Sequence, residues 1–425
     1  MKYAIINANV LDSEKMTYLN NYKVLVEDEK IKKITKEELD LSNYQVIDLQ
    51  NKYLLPGLVN LHVHLPSSGK PKNKASDPIK TVKIMTSNPL FRWIVLKLCA
   101  SFAKTELLSG CTTIRTVGGV LDVDSKIRDK INEGKCVGPR ILASNMAISV
   151  EGGHMAHSLA YAAKDEEDAV RLVNEIAKDN PDCIKLMITG GVLDAKVKGE
   201  PGVLKMKPSI VKAACDEAHK LGFKVAAHVE STEGVKVAIE NGVDTIEHGA
   251  FPTDEIIELF KSHHSVQVAT ISPALPFALF DREISHCNEM EQYNGNLIFE
   301  GIIECAKKCL DNNIPVGLGT DTGCPFITHY DFWRELNYFK KYVGVSKEFA
   351  FYTATLGNAK IAEIDKETGS IEEGKFADMI VCSKDPLKDL TYLRKLDMVI
   401  YKGHIHNNPK IKKMKVCEEE LDKFL

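Results

Sequence analysis

The strongest constraint on this chain is a rhythm. Between Leu58 and Asp321, short apolar stretches alternate with longer amphipathic ones, the pattern of repeated strand–helix units. Eight strands are predicted: Leu58 to Leu65, Thr112 to Val117, Arg140 to Asn145, Cys183 to Ile188, Lys224 to Val229, Asp244 to His248, Val266 to Ile271 and Pro315 to Asp321. Helical periodicity fills the gaps in Trp93 to Leu108, Ala169 to Ala177, Ile210 to Leu221, Asp254 to Lys261 and Leu297 to Leu310. Ser109-Gly110, Leu221-Gly222 and Asn241-Gly242 end helices just ahead of the next strand. Eight such units predict an α/β fold with a closed parallel (β/α)8 TIM barrel. Periodicity alone would also allow an open doubly wound sheet, which the placement of polar residues argues against.

The flanks read differently. Tyr3 to Val10, Tyr22 to Val26, Lys30 to Ile34 and Tyr44 to Leu49 alternate as hairpin strands, and the same texture returns in Asp378 to Cys382, Met398 to Tyr401 and His404 to His406. A helix is expected over Ile411 to Leu425. The expected organisation is therefore residues 1–57 and 366–425 as the two halves of a small β-sandwich, with residues 58–365 as the barrel. A length of 425 residues suits a barrel plus one smaller partner.

Composition narrows the function classes. With 44% hydrophobic and 27% charged residues, the chain is neither disordered, collagenous nor a coiled coil. The balance of 55 basic and 59 acidic residues leaves a net charge of −4, so no nucleic-acid or anionic membrane partner is expected. No stretch reaches the roughly 18 apolar residues of a membrane span; the longest candidate, Phe91 to Ala103, is cut by Arg92 and Lys97. Eleven cysteines without a CxxC pair read as reduced thiols, which places the protein in the cytoplasm. A small-molecule substrate is the expected partner, and a homo-oligomer is left open.

The chemistry sits at strand ends. In Leu61-His62-Val63-His64-Leu65, strand alternation points both histidines the same way, a ready half of a metal site. His228 closes the strand Val225-Ala226-Ala227-His228, and His248 closes Thr245-Ile246-Glu247-His248. Asp321 ends the last strand, and Lys185 lies between Ile184 and Leu186 in an otherwise apolar strand, where an unpaired ammonium is costly. Any one of these could be a hydrogen-bonded core group. Six of them on the ends of barrel strands one, four, five, six and eight, where barrels gather functional groups, point to one site. His154, in Gly152-Gly153-His154, and His157 follow the third strand, and Arg115 ends the second.

These residues, with Leu55-Pro56-Gly57-Leu58-Val59 ahead of the first pair and Gly369-x-Ile371-x-x-Gly374-x-x-Ala377-Asp378 near the end, resemble the amidohydrolase superfamily over nearly the whole chain. Ile184-Lys185-Leu186-Met187-Ile188-Thr189-Gly190-Gly191 and Ile246-Glu247-His248-Gly249 are similar to its branch of Xaa-Pro dipeptidases and lysine or arginine carboxypeptidase homologues, close to the imidazolonepropionases. The resemblance implies two zinc ions: His62, His64 and Asp321 on one, His228 and His248 on the other. Lys185, carboxylated by CO2, would bridge them together with a hydroxide. Asp321 would shuttle the proton, and His154 would contact the substrate carbonyl, with His157 and Arg115 as further substrate contacts. Where dipeptide-cleaving relatives place an aromatic residue to hold the substrate carboxylate, this chain reads Val229-Glu230-Ser231-Thr232, and Arg115 is the candidate replacement. The proline-bearing stretch Leu65 to Leu90 is long enough to cover the site.

The expected activity is zinc-dependent hydrolysis of a C–N amide bond in a dipeptide, an N-acyl amino acid or a cyclic amide. A mononuclear deaminase or imidazolone-type ring hydrolase is the alternative, which Lys185 argues against, since imidazolonepropionases and most deaminases of the superfamily lack it. A non-catalytic scaffold of the same fold is the alternative from another class, and the complete set of six groups argues against that.

Overall fold

The computed structural model describes residues 2–71 and 77–425. The N-terminal strands are β1 (Lys2–Asp12), β2 (Thr17–Glu27), β3 (Lys30–Thr35), β4 (Gln45–Asp48) and β5 (Tyr53–Pro56). The barrel region contains β6 (Leu58–Val63), β7 (Cys111–Thr116), β8 (Arg140–Leu142), β9 (Ala147–Val150), β10 (Ala160–Ala163), β11 (Cys183–Met187), β12 (Lys224–Val229), β13 (Thr245–His248), β14 (Val266–Ala269) and β15 (Val316–Leu318). The C-terminal strands are β16 (Met379–Cys382), β17 (Met398–Tyr401) and β18 (His404–Asn407).

All eight expected barrel strands are present and parallel. They run β6-β7-β8 in one sheet and β11-β12-β13-β14-β15 in another, which β9 and β10 extend at the β11 edge. Main-chain bonds join the two sheets into a barrel. The Asp182 and Cys183 amides reach the Ala143 carbonyl past β8, at 2.6 and 3.3 Å. At the other seam the Asp321 amide donates to the His62 carbonyl at 2.8 Å and the His64 amide to the Thr322 carbonyl at 3.1 Å. The helical patterns between strands do form helices, and their starts are marked by side-chain caps: Ser231 accepts from the Gly234 amide and Thr253 from the Ile256 amide.

Alternation sorts the side chains. Ile184 and Leu186 on β11, and Val225, Ala227 and Val229 on β12, turn outward into the core shared with the helices. Lys185 and His228 on the same strands turn to the barrel axis. Within the stretch expected to run as loop from Leu65 to Leu90, a helix α1 (Pro78–Thr86) forms, capped by Asp77 with Pro78 in its first turn; residues 72–76 lie outside the described residues. The next helix, α2 (Pro89–Leu108), begins four residues ahead of the predicted Trp93, because Asn88 caps it and Pro89 fixes its first φ.

Strands from both ends of the chain form the expected terminal β domain as one hydrogen-bonded sheet, ordered β18-β17-β16-β5-β1-β2-β3, with β4 beside β1. Its core of Tyr3, Ile5, Val24, Val26, Met379 and Ile400 is separate from that of the barrel. The C-terminal helix Lys415–Leu421 docks on the barrel rather than on this sheet. Arg334 of the barrel helix Phe332–Tyr338 is fully buried against Asp331, Glu418 and Asp422. Among the described residues no helix is long and apolar enough to cross a membrane.

Candidate metal centre

Five imidazoles line up across the C-terminal mouth of the barrel. Ring centroids are 5.3 Å apart for His64 and His62, 4.9 Å for His62 and His248, 4.7 Å for His248 and His228, and 4.2 Å for the stacked pair His228 and His154. Asp321 joins them with Oδ1 at 3.5 Å from His62 Nε2 and 3.2 Å from His64 Nε2. Close approach of the last strand to the first depends on Gly319, where a Cβ would stand 2.3 Å from His62 Cβ. Two of these residues sit on strained backbone: His248 has φ 69° and Asp321 φ 55°, the left-handed region that non-glycine residues avoid and that collects at functional sites.

The strain at His248 explains a departure from simple alternation. Thr245 and Glu247 face the axis while Ile246 packs outward, so regular alternation would send His248 outward as well. The left-handed turn brings it back in. As a result Glu247 and His248, adjacent in sequence, both face the barrel interior.

Each imidazole has one ring nitrogen engaged by the protein. His62 Nδ1 donates to Glu247 Oε2 at 2.7 Å, His64 Nδ1 to the Gly118 carbonyl at 2.7 Å and His228 Nε2 to the Gly190 carbonyl at 3.2 Å, while His248 Nδ1 lies 2.6 Å from Thr270 Oγ1. A carbonyl or carboxylate can only accept, so in the first three rings the bonded nitrogen carries the hydrogen and the other presents a lone pair. This is the outer-shell arrangement that fixes metal-ligating histidines. Lys185 Nζ is buried in the same place without a hydrogen-bond partner. Burial pushes its ammonium down to about 8, against the pull of Glu247. Two groups of three ligand atoms each lie within 4.8 Å of one another: His62, His248 and Asp321, and His228, Glu230 and His248. Lone pairs, carboxylates and a partnerless amine, with the Arg115 guanidinium already committed to Glu247, fit divalent metal.

Arg115 does not reach this mouth as a substrate anchor. It lies beneath the histidines, with Nη2 2.7 Å from Glu247 Oε1, Nη1 3.1 Å from Thr245 Oγ1 and Nε 2.9 Å from the Leu61 carbonyl. Burial alone would raise the Glu247 carboxyl, but Arg115 and the bond from His62 outweigh it and hold it ionised. His157 also falls outside: half its side chain is exposed, and it pairs with Glu151 on the loop surface. His154 does line the cavity, with Nδ1 2.5 Å from Asp194 Oδ2.

The cavity over the centre has a volume of about 220 Å³ and mostly apolar walls, including Met155, Met187, Leu193, Phe277 and Ile298. Among the described residues, Lys185 is the only lysine or arginine in its lining. Larger cavities exist, one of about 630 Å³ at the opposite barrel mouth beside Asp182, Asp244 and His264, but among the described residues no comparable ligand set converges there. Sequence reasoning missed three residues of the site. Glu247 was hidden by the alternation argument, Asp194 follows β11 in a loop without a motif, and Glu230 registered only as the absence of an aromatic residue.

Comparison with known proteins agrees with this fold. The sequence model described as the amidohydrolase family matches residues 53–406. A Bifidobacterium longum crystal structure, provisionally titled a prolidase, is 32% identical with a TM-score of 0.87, covering 99% of this chain and 98% of its own. A Xaa-Pro dipeptidase crystallised with methionine in its active site is 28% identical with a TM-score of 0.83, covering 96% of this chain and all of its own. The ochratoxinase of Aspergillus niger is 24% identical over 438 residues, which is 95% of this chain and 86% of that protein.

Proposed function

Since this chain belongs to the amidohydrolase family and is a hydrolase of that fold, we propose that it hydrolyses a C–N amide bond at a two-zinc centre. The substrate class is a dipeptide, an N-acyl amino acid or a cyclic amide. The observation that carries this reading is the combination of three rings held in the ligand tautomer with a partnerless buried lysine among them.

His62, His64 and Asp321 would hold one ion and His228 and His248 the other. Lys185, whose ammonium is brought by burial down to about 8, has a free-amine fraction near neutrality that would attack the carbon of CO2 and release a proton, giving a carbamate whose oxygens would serve as metal ligands. When bound, the ions polarise the scissile carbonyl and lower the pKa of water towards neutrality. Asp321 would accept a proton from the attacking water and return it to the leaving nitrogen. His154, oriented by Asp194 and lining the cavity, would contact the substrate carbonyl. The apolar walls exclude water and select an apolar flank on the substrate.

The test is a panel of dipeptides, N-acyl amino acids, cyclic amides and carboxylate-free amides, with zinc and bicarbonate supplied and released amine and ammonia scored separately, backed by mass detection of ring opening. Amine release or lactam opening is the expected result. Ammonia alone would make the protein a deaminase, and no product of any kind would remove the catalytic reading.

A further inference from the structure

Glu230 follows β12 directly, on the turn into the helix Thr232–Glu240. Its main chain is fixed from two sides. The Glu230 amide donates to Thr189 Oγ1 at 3.0 Å, and Gly202 presses so close that a Cβ there would lie 2.1 Å from the Glu230 carbonyl oxygen. The side chain turns into the cavity beside Gly191 and His154, and Oε2 is buried without a hydrogen-bond partner. The charged groups facing it are the carboxylates of Asp321 and Asp194, with Lys185 as the one ammonium. If Lys185 becomes a carbamate, that positive charge is lost too.

A desolvated carboxyl among other carboxylates either keeps its proton or gives it up to a cation that takes the proton's place. The neighbouring atoms say which kind. His228, with its Nε2 hydrogen committed to the Gly190 carbonyl, presents an Nδ1 lone pair, and the ligand atoms of His228, His248 and Glu230 lie within 4.8 Å of one another. Apart from the Val192 amide and the Lys185 amine, the groups that converge there are acceptors, which suits a metal dication better than a substrate ammonium. Two imidazoles and one carboxylate on one side of an ion are a sufficient protein ligand set for a divalent metal.

We infer that Glu230 is a third protein ligand of the second metal ion, so that this ion is held by His228, His248 and Glu230 independently of the Lys185 carbamate. The assignment rests on the metal-dependent reading above. It also removes Glu230 from substrate recognition and leaves open coordination positions on that ion.

The test measures zinc, not turnover. Full-length zinc-loaded wild type, K185A, E230Q and K185A/E230Q are dialysed against a series of chelator-buffered free-zinc concentrations, and bound zinc per chain is determined by mass spectrometry. Wild type and K185A are expected to hold two ions, with weaker binding in K185A, while K185A/E230Q holds one. E230Q alone is expected to weaken the second ion about 100-fold, at or beyond the upper end of what outer-shell changes cost. If E230Q does not fold, E230D replaces it and should weaken the same ion. Two ions in K185A/E230Q with unchanged affinity overturn the assignment and leave the two-zinc reading intact; no zinc on the wild type overturns both.

Discussion

At the scale of single residues, the site is a set of acceptors above a buried guanidinium, arranged in layers. Arg115 lies below, Glu247 above it, and His62 above that, each bonded to the next. Arg115 therefore acts on the centre through Glu247 and not on substrate. Arg115→Met leaves a buried carboxylate without its guanidinium, so it should cost about 3–5 kcal/mol of stability in urea unfolding. A substrate anchor would instead raise KM and spare stability, and that outcome would restore the sequence expectation. The ligand candidates were legible because strand alternation and barrel topology place His62, His64, Lys185 and His228 on the axis side without further information. Glu247 was not legible: its inward turn is regular, but His248, beside it, is turned inward only by a left-handed backbone that no local pattern announces. The placement of Glu230, whose Oε2 is buried without a hydrogen-bond partner, depends on the approach of Gly191 and Gly202 from a distant loop.

At the scale of elements, the helix Ile271–Leu279 places Pro273, Ala274 and Phe277 in the cavity wall. Glu335, from the helix Phe332–Tyr338, accepts from the Ile271 amide at 2.7 Å and the Ser272 amide at 2.8 Å, and also from the Ser272 hydroxyl. It satisfies amides that a helix start leaves open. Burial pushes its carboxyl up to about 7 although these bonds oppose the shift. Because the folded value lies above the unfolded one, the fold binds this proton more tightly. The stability it contributes is full below about pH 4.5 and is lost as pH rises through about 7. Glu335→Gln, which cannot ionise, should flatten the fall in Tm between about pH 5 and 8; an unchanged slope would assign that titration to another group. The eight barrel strands and the five helices read from the sequence were legible from periodicity, whereas β9, β10 and the helix Ile271–Leu279 were not. The α1 helix was hidden because four prolines suggested loop, whereas Pro78 and Pro89 stand in the first turns of helices, where proline is accommodated.

At the scale of the whole molecule, the two chain ends do different work. Strands from both complete one sheet of the terminal β domain, but the final helix Lys415–Leu421 belongs to the barrel through Arg334. Arg334 lies 4.4 Å from the Trp333 ring centroid, with Nη1 3.1 Å from Glu418 Oε1 and Nη2 2.5 Å from Asp422 Oδ1. The helix was legible from composition; its docking site was not, because it is set by one buried arginine some 84 residues earlier in the chain. Arg334→Met should lower stability by about 3–5 kcal/mol and make the C-terminal segment the first point of proteolysis. Unchanged proteolysis with unchanged stability would show that apolar contacts of Cys417 and Leu421 hold the helix alone.

The central claim is that the axis-facing groups form a two-ion centre bridged through Lys185. It is tested most directly by counting zinc on the purified full-length chain, equilibrated with zinc and bicarbonate and freed of loosely bound metal. Two ions per chain, accompanied by one carbon-13 carbamate signal that Lys185→Ala abolishes, is the predicted result. A single ion and no carbamate under the same conditions would contradict it.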